Sequence, residues 1–454
     1  MKLIHTADLH LDSPLRGLAR YPGAPVDEIR GATRRAFENL VQLALAEPVD
    51  LVLIAGDVYD GDWRDYHTGL FFAAQMSRLR EAGIPVFLVS GNHDARSVIT
   101  RALRLPDNVR RFSADHPETA VLDDLGVAVH GHGYADRWVL ADLSAGYPAR
   151  LPGYLNVGLL HTSASTSGLH ETYAPCTVEG LVSRGYDYWA LGHVHQRQVL
   201  HEDPWVVFPG CVQGRHPLEA GPRGCTVVEV DDRQVTAVRH VDVDVVRWAA
   251  CAVDLAAAVT AADAVDAVRD ALAREVAAAG GRLLAARIEL IGATAAHEEL
   301  WADSVRWESE IRAAATDVAP DAIWVERVLF RTSTRADLAA LRGQEGPLAA
   351  LLASLERCRR EPDLLAAELG ATRELREVRD LAGRLAHESD LAMELALDDP
   401  ARVTRLLGEV EGVLLTQLQG DNSPSPPEGE GWGGGYRSRT ATTARAAASG
   451  EGAS

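Results

Sequence analysis

Short apolar runs recur through the first half of the chain, and each ends in polar residues. Residues 51–55 are apolar and lead through Gly56 into Asp57, which is typical of a buried strand in a largely parallel sheet. Four more apolar runs end in side chains that bind hard metals, at Asp8 and His10, at Asn92, His93 and Asp94, at His161, and at His193 and His195. Because side chains at the carboxyl ends of strands face the functional crevice of an open α/β sheet, we expect these groups to form one metal site.

The alternation of strand and helix patterns predicts a layered α/β domain over residues 1–245. Residues 26–45 and 67–82 place apolar side chains at helical spacing, and the second segment stops at Gly83. Between residues 127 and 230 the strand patterns follow one another closely. This indicates a second, more antiparallel half of the sheet or sandwich.

A different pattern begins near Arg247. Three strand patterns alternate with two helical ones, at 248–254, 264–279, 283–291, 298–315 and 323–331. This β-α-β-α-β segment carries none of the ligand motifs, so we predict a separate small α/β cap domain over residues 246–335.

The remainder of the chain divides into a helical part and a polar part. Residues 336–419 carry apolar stripes at helical spacing, which fit either packing onto the cap or docking onto the helices of a partner. Residues 420–454 are rich in Ser, Pro and Gly and have few aliphatic side chains beyond alanine, so they are predicted to be disordered.

Composition narrows the class of protein. A chain of 454 residues, 47% hydrophobic and 24% charged, fits a soluble globular protein of two or three domains. No apolar run approaches the roughly 20 residues of a membrane span, and the chain enters a strand at Lys2, so neither a membrane segment nor a signal peptide is expected. The five cysteines are widely spaced and form no CxxC pair. This argues against a disulfide framework or a zinc knuckle and predicts a cytoplasmic location.

The net charge of −20 bears on the choice of partners. A chain this acidic is repelled on average by nucleic acid, so affinity for DNA has to come from a local patch or from a partner. One candidate patch follows the Asn-His-Asp motif, at Arg96, Arg101, Arg104, Arg110 and Arg111. These arginines fit a solvated surface as well as a phosphate-binding one.

The polar strand ends suit a pair of divalent cations. Manganese and similar ions accept carboxylate, imidazole and amide-oxygen ligands, and two ions about 3.5–4 Å apart need a shared ligand, a role that fits Asp57. Alternate residues of an extended segment share a face, so both members of an Asp-x-His or His-x-His motif can reach one ion. The predicted ligand set is Asp8, His10, Asp57, Asn92, His161, His193 and His195.

Two residues beside the ligands are candidates for acid–base chemistry. A pair of ions activates water and holds a phosphate for in-line displacement. His93 follows Asn92 and is expected to point away from the ligands, where it can stabilise the transition state or protonate the leaving oxygen. Asp94 is expected to hold the other ring nitrogen of His93 and raise its basicity. A lone Asp-x-His or His-x-His is more often structural, but the ordered series of motifs is far more specific.

In the order Asp-x-His, Gly-Asp, Gly-Asn-His-Asp, His and Gly-His-x-His, these motifs resemble the calcineurin-like metallophosphoesterases over the N-terminal half of the chain. Three stretches resemble the SbcD-type DNA repair exonucleases, and their YhaO-like branch in particular. They are Ile-His-Thr-Ala-Asp-Leu-His-Leu-Asp-Ser at 4–13, Gly-Asp-Val-Tyr-Asp-Gly-Asp-Trp at 56–63, and Phe-Pro-Gly-Cys-Val-Gln-Gly-Arg-His at 208–216. The resemblance implies a four-layered α/β/β/α sandwich.

The resemblance also assigns roles to residues. It gives one metal to Asp8, His10, Asp57 and His195, and the other to Asp57, Asn92, His161 and His193. His93 carries over as the catalytic histidine. Arg215 and His216 lie in the third resembling stretch and are expected to contact substrate phosphate near the metals.

The activity that the resemblance implies is manganese-dependent hydrolysis of DNA phosphodiester bonds, typically as a 3′-to-5′ exonuclease and single-strand endonuclease. Members of this family usually work with an ABC-type coiled-coil ATPase and dock onto it through helices after the cap. This supports the partner interpretation of residues 336–419. A homodimer is the other assembly that we consider.

Other functions fit the same motifs. A small-molecule phosphodiesterase or phosphatase would use the same ligands, so the ligands cannot separate the substrates. A purple acid phosphatase is disfavoured, because its Gly-Asp-x-x-Tyr motif has tyrosine where this chain has Asp60. A non-catalytic scaffold is disfavoured too, because it should have lost ligands or the catalytic histidine, and all are present.

Overall fold

A computed structural model gives the fold of the chain. It describes residues 1–13, 15, 23–60, 66–96, 104–164, 173–334 and 347–360. Fifteen strands lie within these ranges: β1 (Lys2–Thr6), β2 (Leu51–Ile54), β3 (Val86–Leu88), β4 (Val109–Arg111), β5 (Glu118–Leu122), β6 (Val127–His132), β7 (Leu155–His161), β8 (Tyr188–Gly192), β9 (Gln198–Glu202), β10 (Trp205–Phe208), β11 (Gly224–Asp231), β12 (Gln234–Asp242), β13 (Val246–Asp254), β14 (Leu283–Ala293) and β15 (Ile323–Ser333).

The same ranges contain eight α-helices: α1 (Val26–Arg30), α2 (Ala32–Ala46), α3 (Tyr66–Glu81), α4 (Val178–Ser183), α5 (Ala261–Ala279), α6 (His297–Ala302), α7 (Ser304–Val318) and α8 (Pro347–Arg360). Short 3₁₀ helices lie at Asp94–Arg96, Leu143–Gly146 and Pro217–Glu219. The helical pattern predicted over residues 26–45 is therefore two helices, separated at Gly31.

Six strands form a first sheet in the order β12-β11-β1-β2-β3-β4. β1 to β4 pair in parallel, and β11 and β12 extend the sheet with antiparallel pairs. In β2, Leu51 and Leu53 face the second large sheet, whereas Val52 and Ile54 face α2 and α3. The run is apolar without alternation because both of its faces are covered.

A second six-stranded sheet has the order β5-β6-β7-β8-β10-β9. β6, β7, β8 and β10 pair in parallel, and only the edge strands β5 and β9 pair antiparallel. The prediction of a more antiparallel second half is therefore wrong for the centre of this sheet. The crossovers that make it parallel include the 3₁₀ helix Leu143–Gly146 and α4, which are too short to show a helical period in the sequence.

The two sheets pack face to face around a shared apolar core that includes Leu3, Leu53, Val129, Val157 and Tyr188. α2 and α3 cover the outer face of the first sheet. α4 and a group of aromatic side chains cover the outer face of the second. These layers are the predicted four-layered α/β/β/α sandwich, and that prediction is confirmed.

A separate parallel sheet is formed by β13, β14 and β15. α5 and α7 pack on one of its faces. α5 begins with a capping box between Thr260 and Asp263 and ends at Gly280, where φ is 60°. On the opposite face, Trp248 and Trp324 pack against α1 and α2 and so join this sheet to the sandwich. The domain boundaries at residues 245, 335 and 419 stay a prediction.

The C-terminal predictions are only partly covered by the structure. Of the predicted helical segment 336–419, the structure describes Pro347–Arg360, which is helical. The rest of that segment and the predicted disordered tail, 420–454, lie outside the described residues. None of the described helices combines the length and apolar character needed to cross a bilayer. Four cysteines are buried free thiols: Cys176, Cys211, Cys225 and Cys251.

Candidate metal centre

Five strand ends deliver polar side chains to one edge of the sandwich. β1, β2 and β3 of the first sheet run parallel, as do β7 and β8 of the second, so their carboxyl ends lie together within each sheet. All seven predicted ligands lie at the ends of these strands or just after them. Five of them are buried and the last two are half-buried: Asp8, His10, Asp57, Asn92, His161, His193 and His195.

Four of these residues hold a left-handed backbone conformation. The φ angle is 52° at Asp8, 40° at His10, 53° at Asp57 and 111° at His193. Such a conformation costs a residue other than glycine roughly 1–2 kcal/mol, and strain of this kind clusters at functional sites. The four strained positions therefore indicate that these side chains are held in place for chemistry rather than for stability.

Two glycines allow the strand ends to approach one another. A Cβ atom on Gly91 would lie 2.2 Å from Oδ1 of Asp57. A Cβ atom on Gly56, where φ is 93°, would lie 2.6 Å from Nδ1 of His161. Because no side chain fits at either position, the glycines of the Gly-Asp and Gly-Asn-His-Asp motifs are required by the close packing of the ligands themselves.

One group of ligands surrounds His161. Its Nε2 atom lies 2.9 Å from Oδ1 of Asn92 and 3.3 Å from Oδ2 of Asp57. Its Nδ1 atom lies 2.8 Å from the carbonyl oxygen of Ala55, which can only accept a hydrogen bond, so Nδ1 carries a proton. A histidine whose second nitrogen is fixed in this way is the arrangement found at metal sites. The ring of His193 lies beside it, 5.2 Å between centroids.

A second group joins Asp8, His10 and His195, whose ligand atoms lie within 4.8 Å of one another. The two histidine Nε2 atoms are 3.2 Å apart, and Nε2 of His195 lies 4.0 Å from Oδ1 of Asp8. The other ring nitrogen of His195 is fixed by Glu219, 2.6 Å from Oε1. Nδ1 of His10 is buried and has no hydrogen-bond partner in the described part of the chain. The Nε2 atoms of His10 and His195 face each other at 3.2 Å, a separation that suits a cation bound by both.

Burial and mutual charge set the protonation of the cluster. Burial lowers the pKa of His10 and of His193, each to about 3, so both rings are neutral and keep a lone pair for a cation. Burial raises the pKa of Asp57, but the adjacent histidines, His161 first and then His93, together outweigh it and lower that pKa well below its usual range. Burial in turn lowers the pKa of His161, but the Asp57 carboxylate outweighs it and raises that pKa to about 9. The cluster therefore favours a positive charge beside Asp57, which a metal ion would supply.

His93 lies at the open side of the ligands. Its Nδ1 atom is 2.8 Å from Oδ1 of Asp60, and its backbone N–H donates to Oδ1 of Asp57 at 2.9 Å. Burial lowers the pKa of His93, but Asp57 and Asp60 outweigh it and raise that pKa. Its side chain is 29% exposed. His93 thus lies between the buried cluster and solvent, and its raised pKa favours the protonated form that can donate a proton.

The prediction that Asp94 orients His93 is wrong. The Asp94 carboxylate is buried and accepts hydrogen bonds from three backbone N–H groups, at 3.3, 3.0 and 3.1 Å, those of Val58, Tyr59 and Gly91. The chain turns into the 3₁₀ helix Asp94–Arg96 at this point, so the carboxylate points back toward the end of β2 rather than along the ring of its neighbour. Burial, assisted by Asp57, raises the pKa of Asp94 to about 6. Asp94 therefore fixes the turn that carries Asp57.

Asp60 and Glu219 join the site although neither was predicted. Glu219 is buried, and its carboxylate accepts from the backbone N–H of Arg215 at 2.7 Å and from the Arg215 guanidinium at 3.0 Å. Burial raises the pKa of Glu219, but Arg215 and His195 outweigh it and lower that pKa well below its usual range. The motif Gly-Asp-Val-Tyr-Asp contains Asp60, and Glu219 is four residues beyond Arg215. These short distances in sequence from Asp57 and from Arg215 are the signals that could have identified the two carboxylates.

Arg215 and His216 lie beside the ligands. The Arg215 guanidinium is 13% exposed and 3.9 Å from Oδ2 of Asp60, and Nε2 of His216 lies 3.5 Å from Oε1 of Glu219. Their contact with substrate phosphate stays a prediction.

The predicted arginine patch is only partly described. Arg101 lies outside the described residues. Arg110 lies on the edge strand β4, donates to the Thr119 carbonyl at 3.2 Å and stands over the ring of Phe112. A role of this patch in DNA binding stays a prediction.

The sandwich and its cluster of ligands define the class of protein. Residues 1–197 match the calcineurin-like phosphoesterase family. Residues 248–333, which include most of β13 to β15, match the middle domain of the metallophosphoesterase YhaO. The resemblance indicated by the motifs is confirmed. The family match and the clusters together imply divalent metal ions.

Individual relatives resemble the chain over part of their length. It is 36% identical over 259 residues to the uncharacterized metallophosphoesterase YhaO of Bacillus subtilis, covering 56% of this chain and 63% of the relative. It is 26% identical over 253 residues to the DNA double-strand break repair protein Mre11 of Methanopyrus kandleri, covering 52% and 51%. It is 37% identical over 134 residues to the SbcD component of the nuclease SbcCD of Rhodobacter capsulatus, covering 29% and 27%. The chain thus spans less than two thirds of each of these relatives.

Proposed function

We propose that the chain is a dinuclear-metal-dependent DNA exonuclease that hydrolyses phosphodiester bonds in the 3′-to-5′ direction and acts in DNA repair. The observation that carries this proposal is the convergence of all seven predicted ligands and His93 at a single edge of the sandwich. The match of residues 1–197 to the calcineurin-like phosphoesterases supports phosphoester hydrolysis as the chemistry of this edge.

The donor set fits two divalent cations. One would be held by Asp8, His10, Asp57 and His195, and the other by Asp57, Asn92, His161 and His193. His161 and His195 each have Nδ1 fixed by an oxygen acceptor, which leaves both Nε2 atoms directed at the cluster. Oxygen and imidazole donors together suit manganese. When bound, the two cations would supply an activated water and neutralise charge on the phosphate.

His93 supplies the acid chemistry in this proposal. Because Asp60 occupies Nδ1, Nε2 is the ring atom that is left to face the substrate. The raised pKa favours the protonated form of this ring. It would donate a hydrogen bond to a phosphate oxygen and pass its proton to the leaving oxygen as the phosphodiester breaks.

The substrate and the partner are supported by the relatives. Two of them are named as a DNA double-strand break repair protein and as one component of a nuclease. The partner in our proposal is an ABC-type coiled-coil ATPase that docks on residues 336–419, of which α8 is described. We place the activity in the cytoplasm, with support from the four described thiols that form no disulfide.

Digestion of end-labelled duplex and single-stranded DNA with manganese tests the proposal, with His93→Ala purified in parallel. Stepwise release of nucleotides from the 3′ end is expected, with a loss of about 100- to 10,000-fold in the variant. A small-molecule phosphodiesterase is the second candidate, favoured by the net charge of −20, which repels DNA. Intact DNA alongside cleavage of bis-p-nitrophenyl phosphate would select that candidate.

A further inference from the structure

Beside the cluster, a row of aromatic rings leads from a predicted ligand to the surface. The ring of Tyr173 lies 5.2 Å from that of His193, and the ring of Trp138 lies 5.2 Å from that of Tyr173, inclined by 21°. Tyr173 is 7% exposed, whereas Trp138 is 45% exposed. Leu140, two residues on, is 73% exposed. The row therefore ends in a half-exposed aromatic ring at the rim of the proposed active site.

The backbone holds this row in place. The N–H of Ala174 donates to the carbonyl of Val139 at 2.6 Å, and the N–H of Ser163 donates to the carbonyl of Tyr173 at 2.8 Å. Tyr173 also packs in a small core with Ala95, two residues after His93 in the chain. Because Trp138 stacks on Tyr173, and Tyr173 is itself held in place, the Trp138 ring offers a rigid face to a flat ligand at little cost in conformational entropy.

We propose that Trp138 stacks on an unpaired base of the DNA strand that is cut at the metal cluster, so that the site takes single-stranded ends. This inference rests on the proposed function and names the form of its substrate. Stacking binds every base through its π-face and does not depend on net charge, which suits a chain with a charge of −20. The guanidinium of Arg137 stands 5.8 Å from the Trp138 ring and adds a positive charge beside the strand.

The spacing fits a DNA strand that reaches from the ligands to Trp138. The ring of Trp138 is two successive ring-to-ring distances of 5.2 Å from that of His193. Bases of a stacked strand rise by about 3.4 Å each, so a base on Trp138 belongs to one of the first few nucleotides from a phosphate at the cluster. Through Trp138 the site would therefore recognise a strand with unpaired bases, and not only a phosphodiester group.

Binding of fluorescein-labelled oligothymidine tests this inference by fluorescence anisotropy, with full-length chains that carry His93→Ala to keep the DNA intact. Adding Trp138→Ala is expected to raise the dissociation constant by about 5- to 100-fold, and Trp138→Phe is expected to restore most of the affinity. Trp301 is the matched control, because it is 48% exposed on α6 and packs against His297 and Phe330. Trp301→Ala is expected to leave the constant unchanged. The melting temperature of each variant verifies its fold.

An oligothymidine with abasic sites near its 3′ end supplies the decisive comparison. The effect of Trp138→Ala is expected to vanish on it, because the base that stacks is missing. An equal effect on both oligonucleotides, or no effect on either, would overturn base stacking while leaving DNA cleavage by the native chain intact. A native chain that cleaves bis-p-nitrophenyl phosphate but neither binds nor cuts DNA would instead overturn the proposed function, and the inference with it.

Discussion

Nδ1 of His93 lies 2.8 Å from Oδ1 of Asp60, three residues beyond the central aspartate Asp57. Oδ1 of Asp60 is also 3.6 Å from Nδ1 of His10. One carboxylate therefore connects the ring that faces substrate with a predicted metal ligand. Burial raises the pKa of Asp60, but the two adjacent histidine rings together outweigh it and hold that pKa far below its usual range, so Asp60 is an anion throughout the working range of pH.

Asp60→Asn tests whether this anion sets the acidity of His93. We expect kcat to fall by about 10- to 100-fold. Asp60 raises the pKa of His93, so without it the ring loses its proton at lower pH and the alkaline limb of the pH–rate profile should move to lower pH. The metal content of the variant has to be measured alongside, because Asp60 also approaches His10. An unshifted alkaline limb would show that Asp60 does not control His93.

Asp94→Ala should act on stability instead. Its carboxylate accepts three backbone N–H groups of the turns around Asp57, and alanine would leave all three buried without an acceptor. We expect the free energy of unfolding to fall by about 2–5 kcal/mol in urea denaturation. A variant that keeps its stability and instead shows the shifted pH profile expected for Asp60→Asn would reinstate Asp94 as the partner of His93.

Glu219→Gln should weaken metal binding without direct contact to the metal. Glu219 fixes Nδ1 of His195 at 2.6 Å, and loss of its charge loosens the orientation of that ring. A fall of about 10- to 100-fold in manganese affinity is expected in a calorimetric titration. Glu47→Gln is the matched control, because Glu47 makes surface ion pairs with Lys2 and Arg239 and does not contact the cluster. Equal affinities in the two variants would argue against this role.

His5 predicts how stability depends on pH. It is buried between Tyr188, whose hydroxyl is 2.9 Å from Nδ1, and the carbonyl of Leu191, 3.0 Å from Nε2. Burial lowers its pKa from 6.5 to about 3. The folded state therefore binds a proton on His5 less readily than the unfolded state does. The contribution of neutral His5 to the free energy of unfolding is fully present above pH 6.5 and is lost as the pH falls toward 3.

The free energy of unfolding should accordingly decline by about 1.4 kcal/mol per pH unit below 6.5 through His5 alone. Urea denaturation at several pH values measures this slope. In His5→Phe one proton fewer is taken up on unfolding, so the slope should fall by about 1.4 kcal/mol per pH unit even though the variant is less stable overall. His67→Phe, on the exposed start of α3, is the control. Identical slopes in the native chain and His5→Phe would contradict the assignment.

The sandwich was predictable because its strands are apolar on both faces and end in distinctive polar motifs. Asp57, with a continuous apolar run before it, shows how a buried strand and its site can be read together. The partner of His93 could not be read in this way. Sequence adjacency favoured Asp94, but a short 3₁₀ turn directs that carboxylate to backbone N–H groups and leaves the ring to Asp60. Sequence neighbours do not fix the direction of a side chain.

Glu219 and the parallel centre of the second sheet were missed for a related reason. Glu219 reaches His195 through a short 3₁₀ turn, and α4 has only six residues, so neither leaves a periodic pattern in the sequence. The contact of Glu219 with His195 and the strand order of the second sheet both join residues that are far apart in the sequence, so only the folded chain shows them. Each strand and the ligands at its end lie within one short stretch of sequence, which is why they could be predicted.

The metal content of the purified chain tests the central claim most directly. After loading with manganese and desalting, elemental analysis by inductively coupled plasma mass spectrometry should find two ions per chain. Asp57→Asn, which keeps the shape of the side chain but removes the carboxylate charge that the two proposed metal sites share, should retain one ion or none. A native chain that binds no divalent metal, or an Asp57→Asn variant that still holds two ions, would contradict the dinuclear centre.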